Sequence, residues 1–480
     1  MLVNLRGSGP LYRRIYHALK SDISTGRLAP QSRLPSTRAL AADLRVSRNT
    51  VTLAYEQLIA EGYLLSRNRS TTLVAGAAPP RIVPSVPVPG KSDPRLSAYG
   101  RRLTDDPATP YSGSYVERAG IRYDFRYGRP AMEAFPQEVW RRLLAARARS
   151  APAGAYGYAA PSGYAPLREA LAGYLRRARG MTCEPDQIVI VNGTQQALDL
   201  ASRILVDPGD RVVIEEPHYH SVRLSFEAVG AKLVGIDVDA KGLDPARLPR
   251  SGARVACVTP CHQFPTGVVM PMPRRLELLD WAARTGTWII EDDYVSEFRY
   301  EGHPIEALHA LDHAERVIYM GTFSKTLFPA LRIAYVVLPH ALVRPFTVAK
   351  WMADRYTATL NQEALADFVS QGHFERYLRR ACARNSVKRR VLIASLREYF
   401  GDRVEVAGEN AGVHLLVWLK DVEASKTDAI ISRAARAGVG IYPVDLYYSK
   451  RPLRAGLLFG YASLTESGIR AGIRKLAAVV

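Results

Sequence analysis

The sequence predicts an α/β protein in three parts: a small helical segment, a proline-rich connection, and a long segment built on a mostly parallel sheet. Three observations support this division. The chain has 480 residues, more than one hydrophobic core usually organises. Eight prolines fall between residues 76 and 110, a composition that favours extended chain. Beyond them, apolar runs such as RVVIEE and TWIIEDD alternate with helix-like patterns, which is typical of parallel sheets covered by helices.

Composition narrows the class of partner and the cellular compartment. Lysine and arginine outnumber aspartate and glutamate by 65 to 46, a formal charge of +19 that suits a polyanionic partner. Of the four cysteines only Cys257 and Cys261 lie close together, and no second ligand cluster accompanies them, so we predict reduced thiols and no metal site. No apolar run resembles a signal peptide or reaches the length of a membrane span. We therefore predict a cytoplasmic protein without a membrane segment.

Residues 1–75 have the spacing of a helix-turn-helix followed by a wing. Ser36 is placed to cap a helix that ends near Leu44, and Ser47 to cap a second helix that ends before Gly62. Two short strands around a basic turn would then form the wing. The side chains expected to point inward from the second helix are Val51, Ala54, Tyr55, Leu58 and Ile59.

The second of these helices begins with Arg48, Asn49 and Thr50, so its positive end and its donors are placed to reach phosphates and base edges. Residues 1–75 carry 11 basic against 4 acidic side chains. A small helical cap with merely solvated arginines is the alternative. The order of helix pair, turn, second helix and wing favours DNA binding over that alternative.

Through LPSTRALAADLRVSRNTV and AYEQLIAEGYL, this segment resembles the GntR-type winged helix. The wing of this chain turns through RNRSTT, where the family usually has glycines. The residues that the resemblance implies at operator DNA are Arg38, Arg48 and Thr50, with Arg67 and Arg69 at the wing tip.

In the long segment, Lys325 follows the apolar strand RVIYMG. At the partly desolvated mouth of a sheet the pKa of a lysine falls, as a Schiff-base lysine requires. Thr322, Ser324 and Arg332 add hydroxyl donors and a guanidinium, which are the groups that a phosphate ester needs. Together they suggest pyridoxal 5′-phosphate. Taken alone, the SKT triplet indicates an ordinary surface lysine far more often than a cofactor lysine, so the other motifs must decide.

A strand-to-helix turn offers a phosphate site. In IVIVNGTQQALDLA, a strand runs through Asn192 into a helix, and the backbone N–H groups of Gly193, Thr194 and Gln195 are free to bind an anion at the positive helix end. An ordinary turn is the alternative reading of this motif by itself.

Two more strand ends supply partners for a pyridine ring. Asp292 in TWIIEDDYVSEF could keep the ring nitrogen protonated, and Tyr294 could hydrogen-bond the phenolic oxygen of the ring. Tyr219 in EEPHYHS offers a flat face for stacking. Either tyrosine could instead belong to the core. Ligands of open parallel sheets collect at the carboxyl ends of strands, which favours the functional interpretation.

Residues 123–480 resemble the fold-type I aminotransferases, through YGYAAPSGYAPLREAL, NGTQQAL, PHY, QFPTG, EDDY, SKT and LRIAY in the order of that family. The resemblance implies that Lys325 is the Schiff-base lysine and Asp292 the partner of the pyridinium. It also implies that Tyr294 binds the ring oxygen, Arg332 binds the phosphate and Tyr219 stacks on the ring. Tyr158 would reach the phosphate of a neighbouring subunit, which implies a homodimer.

The chain departs from the aminotransferase pattern at two places. Where the family motif NPTG supplies an asparagine to the ring oxygen, this chain has Phe264, so that contact is missing or comes from Gln263. In RAGLLFGYASL, the arginine that would receive a substrate carboxylate is displaced upstream, which makes Arg454 a candidate for binding an effector.

A GntR-type winged helix over residues 1–75, a proline-rich linker over 76–122 and an aminotransferase-like domain over 123–480 is the arrangement of the MocR family of regulators. The resemblance implies a transcriptional regulator that depends on pyridoxal phosphate and senses a small amine or amino-acid-like effector through Lys325. Two alternatives stay open: a regulator of vitamin B6 synthesis that senses pyridoxal phosphate itself, and a working aminotransferase. The sequence leaves the effector, the operator and the direction of regulation undefined.

Overall fold

A computed structural model describes residues 9–67, 71–76, 96–104, 120–151, 157–300 and 305–480. The chain forms two compact units, residues 1–95 and 96–480, which are described separately. Arg69 and most of the predicted linker lie outside the described residues. The helix α4, Ala98–Thr104, falls inside the predicted linker range of 76–122 but belongs to the second unit.

The first unit has a winged-helix arrangement, as the sequence predicts. Ser36 Oγ accepts a hydrogen bond from Ala39 N at 3.2 Å, and Ser47 Oγ accepts one from Thr50 N at 3.2 Å, so both predicted caps are present. Strands β2 and β3 form the antiparallel wing, and β1 pairs with β3. The elements are α1 (Leu11–Ser24), β1 (Arg33–Leu34), α2 (Thr37–Leu44), α3 (Arg48–Ala60), β2 (Leu64–Arg67) and β3 (Thr71–Val74).

The buried face of α3 is narrower than predicted. Val51, Ala54, Tyr55 and Leu58 are buried, but Ile59 is 36% exposed. The prediction for Ile59 was therefore wrong. Residues 51, 54, 55 and 58 complete one helical stripe, and position 59 lies at the edge of that stripe, in the last turn of the helix.

The second unit is centred on an eight-stranded sheet in the order β5-β12-β11-β10-β9-β6-β7-β8. The neighbouring pairs from β11 to β7 are parallel, while β12 runs antiparallel to both β11 and β5. The mostly parallel sheet is thus confirmed. The strands are β5 (Ile188–Val191), β6 (Arg211–Glu216), β7 (Lys232–Asp239), β8 (Gly242–Leu243), β9 (Ala253–Val258), β10 (Trp288–Asp293), β11 (Val317–Thr322) and β12 (Ala334–Val337).

Helices cover both faces of this sheet, because alternate strand residues enter opposite cores. Ile188 and Ile190 pack in one apolar cluster, while Val189 and Val191 pack in another. The helices of this part of the unit are α5 (Gln137–Ser150), α6 (Ala165–Arg179), α7 (Thr194–Leu205), α8 (His220–Ala228), α9 (Met272–Thr285), α10 (His340–Asp354) and α11 (Thr359–Ser370).

The last part of the chain adds a second, smaller sheet in the order β13-β14-β17-β16. A further short strand, β4, precedes the large sheet in the chain and pairs in parallel with β15. The remaining elements are β4 (Tyr123–Asp124), α12 (His373–Phe400), β13 (Val404–Ala407), β14 (His414–Glu423), α13 (Thr427–Arg436), β15 (Val439–Gly440), β16 (Tyr442–Pro443), β17 (Arg454–Gly460) and α14 (Glu466–Ala477). Among the described residues, no helix combines the length and the apolar composition that a bilayer crossing needs.

Candidate functional site

One edge of the large sheet gathers most of the predicted site residues. Parallel strands β10 and β11 end beside each other, with Asp292 paired in register with Met320, and Lys325 follows β11 by three residues. Arg332 precedes β12, which runs in the opposite direction and therefore begins at this same edge. The topology thus places a lysine, a carboxylate and a guanidinium at one end of the sheet, as predicted.

The turn between β5 and α7 forms an anion cradle with Arg332. Gly193 has a φ of +91°, and a Cβ atom there would lie 2.7 Å from Arg332 Nη2, so only glycine lets the guanidinium approach. Arg332 Nη2 donates to Asn192 O at 2.7 Å. Thr194 and Gln195 open α7, and the first N–H groups of a helix have no acceptor within it. These groups fit a phosphate ester.

An ion pair between buried Lys350 and half-buried Asp354 supports this turn from the side of α10. Asp354 Oδ2 accepts hydrogen bonds from Asn192 Nδ2 at 2.5 Å and from Gln196 Nε2 at 2.8 Å. Asp354 Oδ1 accepts from Lys350 Nζ, also at 2.5 Å, and the side chain of Lys350 is fully buried. The side chain of Asn192 is thereby turned towards α10. Asp354 was not predicted, since it lies more than 150 residues from the turn in sequence and carries no local motif.

The ammonium of Lys325 lies against the backbone of a glycine. A Cβ atom at Gly128, which has a φ of +72°, would lie 2.7 Å from Lys325 Nζ. Burial lowers the pKa of Lys325, and the carboxylate of Asp292 acts in the opposite direction. Thr322 Oγ1 accepts from Ser324 N at 3.1 Å, so this hydroxyl shapes the turn that carries the lysine. A lysine with a lowered pKa suits nucleophilic amine chemistry.

Asp292 and Tyr294 each place a buried polar atom in the site without a hydrogen-bond partner among the described residues. Asp292 Oδ1 and Tyr294 Oη are both buried, and neither has a hydrogen-bond partner among the described residues. Burial, with help from the neighbouring Asp293, raises the pKa of Asp292 to about 7. A buried carboxylate without a partner is unfavourable unless a ligand donates to it. A protonated pyridine nitrogen and a phenolic oxygen match these two atoms, so the residues fit pyridoxal phosphate.

Tyr219 stands over a cavity next to Asp292. The cavity lies between the start of α8 and the sheet, and its lining includes Tyr219, Val222, Ile290 and Asp292. The ring of Phe264 meets that of Tyr219 edge-on, with centroids 5.7 Å apart. Tyr219 thus lines the same cavity as Asp292, and its stacking on a pyridine ring stays a prediction.

Neither Phe264 nor Gln263 supplies a free amide to this site. Phe264 packs edge-on against Tyr294, with centroids 5.9 Å apart. Gln263 is buried, with Nε2 donating to Pro217 O and Phe264 O at 2.7 Å and Oε1 accepting from Thr266 Oγ1 at 2.6 Å. Of the two predicted alternatives, the missing contact is the one that fits this geometry.

Two buried histidines adjoin the site and were not predicted. The rings of His262 and His414 lie 5.6 Å apart, and the ring of His414 packs against Phe264 at 5.4 Å. Burial lowers the pKa of His262 to about 3 and that of His414 to about 4, with the charge of Lys325 also lowering the pKa of His414. At neutral pH both rings are uncharged, so neither offers a cation to a substrate carboxylate. Their sequence positions carry no periodic signal.

Arg454 and Tyr158 lie at surfaces outside this group. Arg454 begins β17, where its Nη1 donates to Glu405 at 3.1 Å and its guanidinium lies over Trp418. The structure therefore does not bring Arg454 to Lys325 and gives no support to its predicted effector role. Arg454 is the first residue of β17, at the exposed end of the strand, and the six residues that follow it in β17 are buried. Tyr158 is 92% exposed, and its ring contacts only that of Tyr356 among the described aromatic pairs.

The predicted DNA-binding residues of the first unit are accessible. Arg38, Arg48 and Arg67 are exposed, while the Thr50 hydroxyl is hydrogen-bonded to Ser47 Oγ at 2.7 Å. Arg69 lies outside the described residues. The exposed guanidiniums of α2, α3 and the wing strand β2 suit phosphate and base contacts.

Sequence comparison assigns both units to known domain families. Residues 11–74 match the gntR family of bacterial regulatory proteins, and residues 129–471 match aminotransferase class I and II. The first match implies DNA binding, and the second implies pyridoxal phosphate as cofactor. The chain is 39% identical to the probable rhizopine catabolism regulatory protein MocR of Rhizobium meliloti, over 97% of this chain and 93% of that protein.

A more distant relative and a solved structure complete the comparison. The pyridoxine biosynthesis transcriptional regulator PdxR of Corynebacterium glutamicum is 28% identical, over 93% of this chain and 91% of its own length. The crystal structure of Pyrococcus horikoshii kynurenine aminotransferase, in complex with PMP, is similar with a TM-score of 0.69 and 30% identity. That similarity covers 75% of this chain and 91% of the enzyme.

Proposed function

The chain belongs to the MocR family of pyridoxal phosphate-dependent transcriptional regulators, and from this premise we propose that it senses a small amine or amino-acid-like effector through Lys325. The observation that carries the proposal is that two groups lie at the same edge of the sheet: Lys325, whose pKa is lowered, and Asp292, whose buried Oδ1 has no hydrogen-bond partner among the described residues. When bound, pyridoxal phosphate supplies an electrophilic carbon that reacts with primary amines.

The residues of the site divide the work of holding the cofactor. Arg332 and the N–H groups that open α7 hold its phosphate, and Asp292 holds a proton on the ring nitrogen. Tyr294 donates to the ring oxygen and Tyr219 covers one face of the ring. Lys325, whose lowered pKa leaves more of its amine uncharged, is then the group that an effector amine displaces.

Displacing Lys325 is the event that a regulator can detect. The displaced side chain regains a free amine at a buried position next to Gly128 and His414, so the two states differ in local contacts and charge. An effector shifts DNA binding only as far as its affinities for the two states differ. Slow reversal, rather than turnover, suits such a signal.

We also propose that the protein acts in the cytoplasm as a homodimer, with Tyr158 reaching the phosphate site of the second copy. An exposed apolar face on α10 supports this: Val348, Trp351 and Met352 are 50%, 46% and 75% exposed. Tyr158 packs on Tyr356, two residues beyond the end of α10, so it continues the same surface. A second copy is the occupant that buries this face and uses Tyr158.

A second candidate is a regulator in which pyridoxal phosphate itself is the signal. Arg454 is paired with Glu405, so no arginine predicted from the sequence to bind a carboxylate is delivered to the site. The relative named for pyridoxine biosynthesis fits this candidate. The relative named for rhizopine catabolism is more similar, which is why we place the amine sensor first.

A titration separates these candidates. Amines are added to the loaded full-length protein while its absorption spectrum and its binding to DNA from upstream of its own coding region are measured. The amine sensor requires at least one amine that changes both. If no amine does, while removal and return of pyridoxal phosphate alone switches DNA binding, the cofactor is the signal. Steady consumption of an amino donor and a 2-oxo acid without DNA binding would instead identify an aminotransferase.

The DNA-binding role has its own test at Arg48. Replacing Arg48 with alanine should weaken operator binding about tenfold or more and reduce the preference over unrelated DNA. Binding of the wild type should also fall steeply with salt, because phosphate contacts release counterions. Arg27→Ala is the matched control, since this exposed arginine pairs with Asp22 outside the helix-turn-helix. Equal, non-specific coating of DNA by wild type and Arg48→Ala would contradict this assignment.

A further inference from the structure

We infer that helix α8 transmits the state of the Lys325 site to α4, through a hydrogen bond from Arg102, and so to the chain that leads to the DNA-binding unit. This inference rests on the proposed function, because it assumes that the cofactor binds at this site. It assigns a positioning role to Arg102, which lies outside the site. Three contacts along α8 carry it.

The first contact is at the start of α8. Tyr219, the residue that covers the cofactor ring in the proposed function, is the N-cap residue of this helix. Because the cap and the first turn are continuous backbone, a displacement of Tyr219 that includes its main chain also moves the beginning of α8.

The second contact joins α8 to the anion cradle. Gln195 Nε2 donates to Ser225 Oγ at 3.1 Å. Gln195 lies in the first turn of α7, whose N–H groups hold the phosphate in the proposed function. The helix is therefore in contact with both ends of the cofactor site.

The third contact is at the far end of α8, where α4 is attached. Arg102 Nε donates to Ala228 O at 2.9 Å. The last carbonyl groups of a helix have no partner within it, and a cation there is favoured by the helix dipole. A Cβ atom at Gly230 would lie 3.3 Å from Arg102 Cζ, so this glycine leaves room for the guanidinium. The side chain of Arg102 thus joins α4 to the C-terminal end of α8.

Helix α8 is short and bridged along its length, so a displacement at its first turn is carried to its last turn. It spans 9 residues, or about 13 Å of helix, and an Arg223–Glu227 pair at 3.0 Å bridges one turn. Phe226 is fully buried, so the second half of the helix packs against the core. The cavity lined by Tyr219, Val222 and Asp292 lies next to the first turn, where the proposed function places the cofactor ring.

The position of α4 in the chain connects this route to DNA binding. Residues 77–95 separate the winged-helix unit from α4, which is the first described element of the second unit. Wherever α4 is held, the connecting chain starts from that point. If the loaded and unloaded states place the end of α8 differently, the constraint on the connecting chain differs as well, which is the coupling that regulation requires.

Hydrogen–deuterium exchange on the full-length protein tests the route directly. Amide exchange is compared with pyridoxal phosphate removed and restored, in the wild type, in Arg102→Gln and in Arg101→Gln. Arg101 is the matched control, because it neighbours Arg102 on α4 and donates to Leu96 O within the same segment. We expect loading to slow exchange severalfold over residues 219–228 in all three proteins. Over residues 98–104, slowing is expected in the wild type and Arg101→Gln but not in Arg102→Gln.

Binding assays give a second readout and separate the possible failures. Arg102→Gln should keep the cofactor spectrum and the cofactor-free DNA affinity of the wild type, but lose the change in DNA affinity on loading. If loading slows exchange over 219–228 but leaves 98–104 unchanged in the wild type, or if Arg102→Gln behaves as the wild type, the route is overturned while the proposed function stands. If pyridoxal phosphate does not bind at all, the proposed function has failed as well.

Discussion

The edge of the large sheet and the beginning of β17 in the small sheet differ in how their polar groups are satisfied. At the large-sheet edge, Asp292 Oδ1 and Tyr294 Oη are buried without partners among the described residues. At the start of β17, Arg454 is exposed and already paired with Glu405. An unsatisfied buried group creates a demand for a ligand, whereas an exposed pair contributes little and creates none. This difference indicates that the domain is organised to hold a cofactor more than to bind a substrate carboxylate through Arg454.

The largest expected effect is at Lys325. Lys325→Ala should abolish the covalent link to pyridoxal phosphate, because the only nucleophilic amine beside Gly128 among the described residues is removed. The check is the mass of the protein after borohydride reduction of the loaded form, together with its absorption band. Lys241→Ala is a surface control, outside the site. A reducible band of wild-type size in Lys325→Ala would refute the assignment.

Asp292→Asn should weaken binding of pyridoxal phosphate by about 10- to 100-fold. The change keeps the shape of the side chain but removes the charge that partners the ring nitrogen, and hydrogen bonds to charged groups contribute about 1.5–3 kcal/mol. Affinity can be measured by absorbance titration of the cofactor-free protein. Asp199→Asn, which alters an exposed pair with Arg203, is the control. Unchanged affinity in Asp292→Asn would remove the basis of the comparison.

The same substitution should have the opposite sign on the stability of the cofactor-free protein. The pKa of Asp292 is raised from 3.8 to about 7 by burial, so the folded state binds its proton more tightly than the unfolded state does. Binding of this proton stabilises the folded state to its full extent below pH 4, and this stabilisation is lost as the pH rises to about 7. Without cofactor at pH 8, Asp292→Asn should therefore melt at a higher temperature than the wild type, and its free energy of unfolding should be larger by about 1–3 kcal/mol. This difference should narrow towards pH 4.

Thermal unfolding of both proteins across that pH range is the measurement. Glu215, whose pKa burial also raises to about 7, titrates in both proteins, so most of its contribution cancels in the difference between them. A difference that stays constant with pH would show that Asp292 is not the titrating group.

A smaller effect is expected at Asp354, behind the anion cradle. In Asp354→Asn a neutral carboxamide replaces the carboxylate that accepts from Asn192 and Gln196, and it is a weaker acceptor. The substitution also leaves the buried Lys350 without its carboxylate partner. We expect about a tenfold loss of cofactor affinity, measured as above. Asp367→Asn breaks the comparable pair with Arg147, away from the cradle, and should bind the cofactor like the wild type. Equal losses in the two variants would point to general destabilisation.

The smallest effect is predicted for Arg454. Arg454→Ala removes an exposed pair and should change cofactor affinity and the response of DNA binding to amines by less than about twofold. A tenfold or greater loss of the amine response, at unchanged cofactor affinity, would restore Arg454 as an effector-binding residue. That outcome would show that the beginning of β17 also takes part in ligand binding.

The sequence allowed most of the cofactor-holding edge to be predicted, because its residues follow strands in recognisable motifs. Lys325, Asp292 and Arg332 meet at one edge since strand order and direction impose it. Asp354 and His414 escaped prediction, because they reach the site through tertiary packing and carry no local pattern. Arg454 was chosen by its nearness in sequence to an expected position, but it is the first residue of β17 and lies at the exposed end of that strand.

Prediction was also weaker wherever composition alone was the guide. Prolines suggested a linker through residue 122, yet Ala98–Thr104 forms a helix that packs on the end of α8. Ile59 was assigned to the core by helical spacing, and it lies at the edge of the buried stripe. The contact that joins Ala98–Thr104 to α8 comes from a residue distant in sequence.

The central claim, that one site binds the amine and governs DNA affinity, is tested most directly by reciprocity. The concentration of an amine that half-converts the absorption spectrum of the loaded protein is measured alone, with operator DNA and with unrelated DNA. Linkage requires that operator DNA shift this concentration by the same factor by which the amine shifts operator affinity. We expect equal factors with operator DNA and no shift with unrelated DNA; an amine titration that operator DNA leaves unchanged would show that the amine site does not govern DNA affinity.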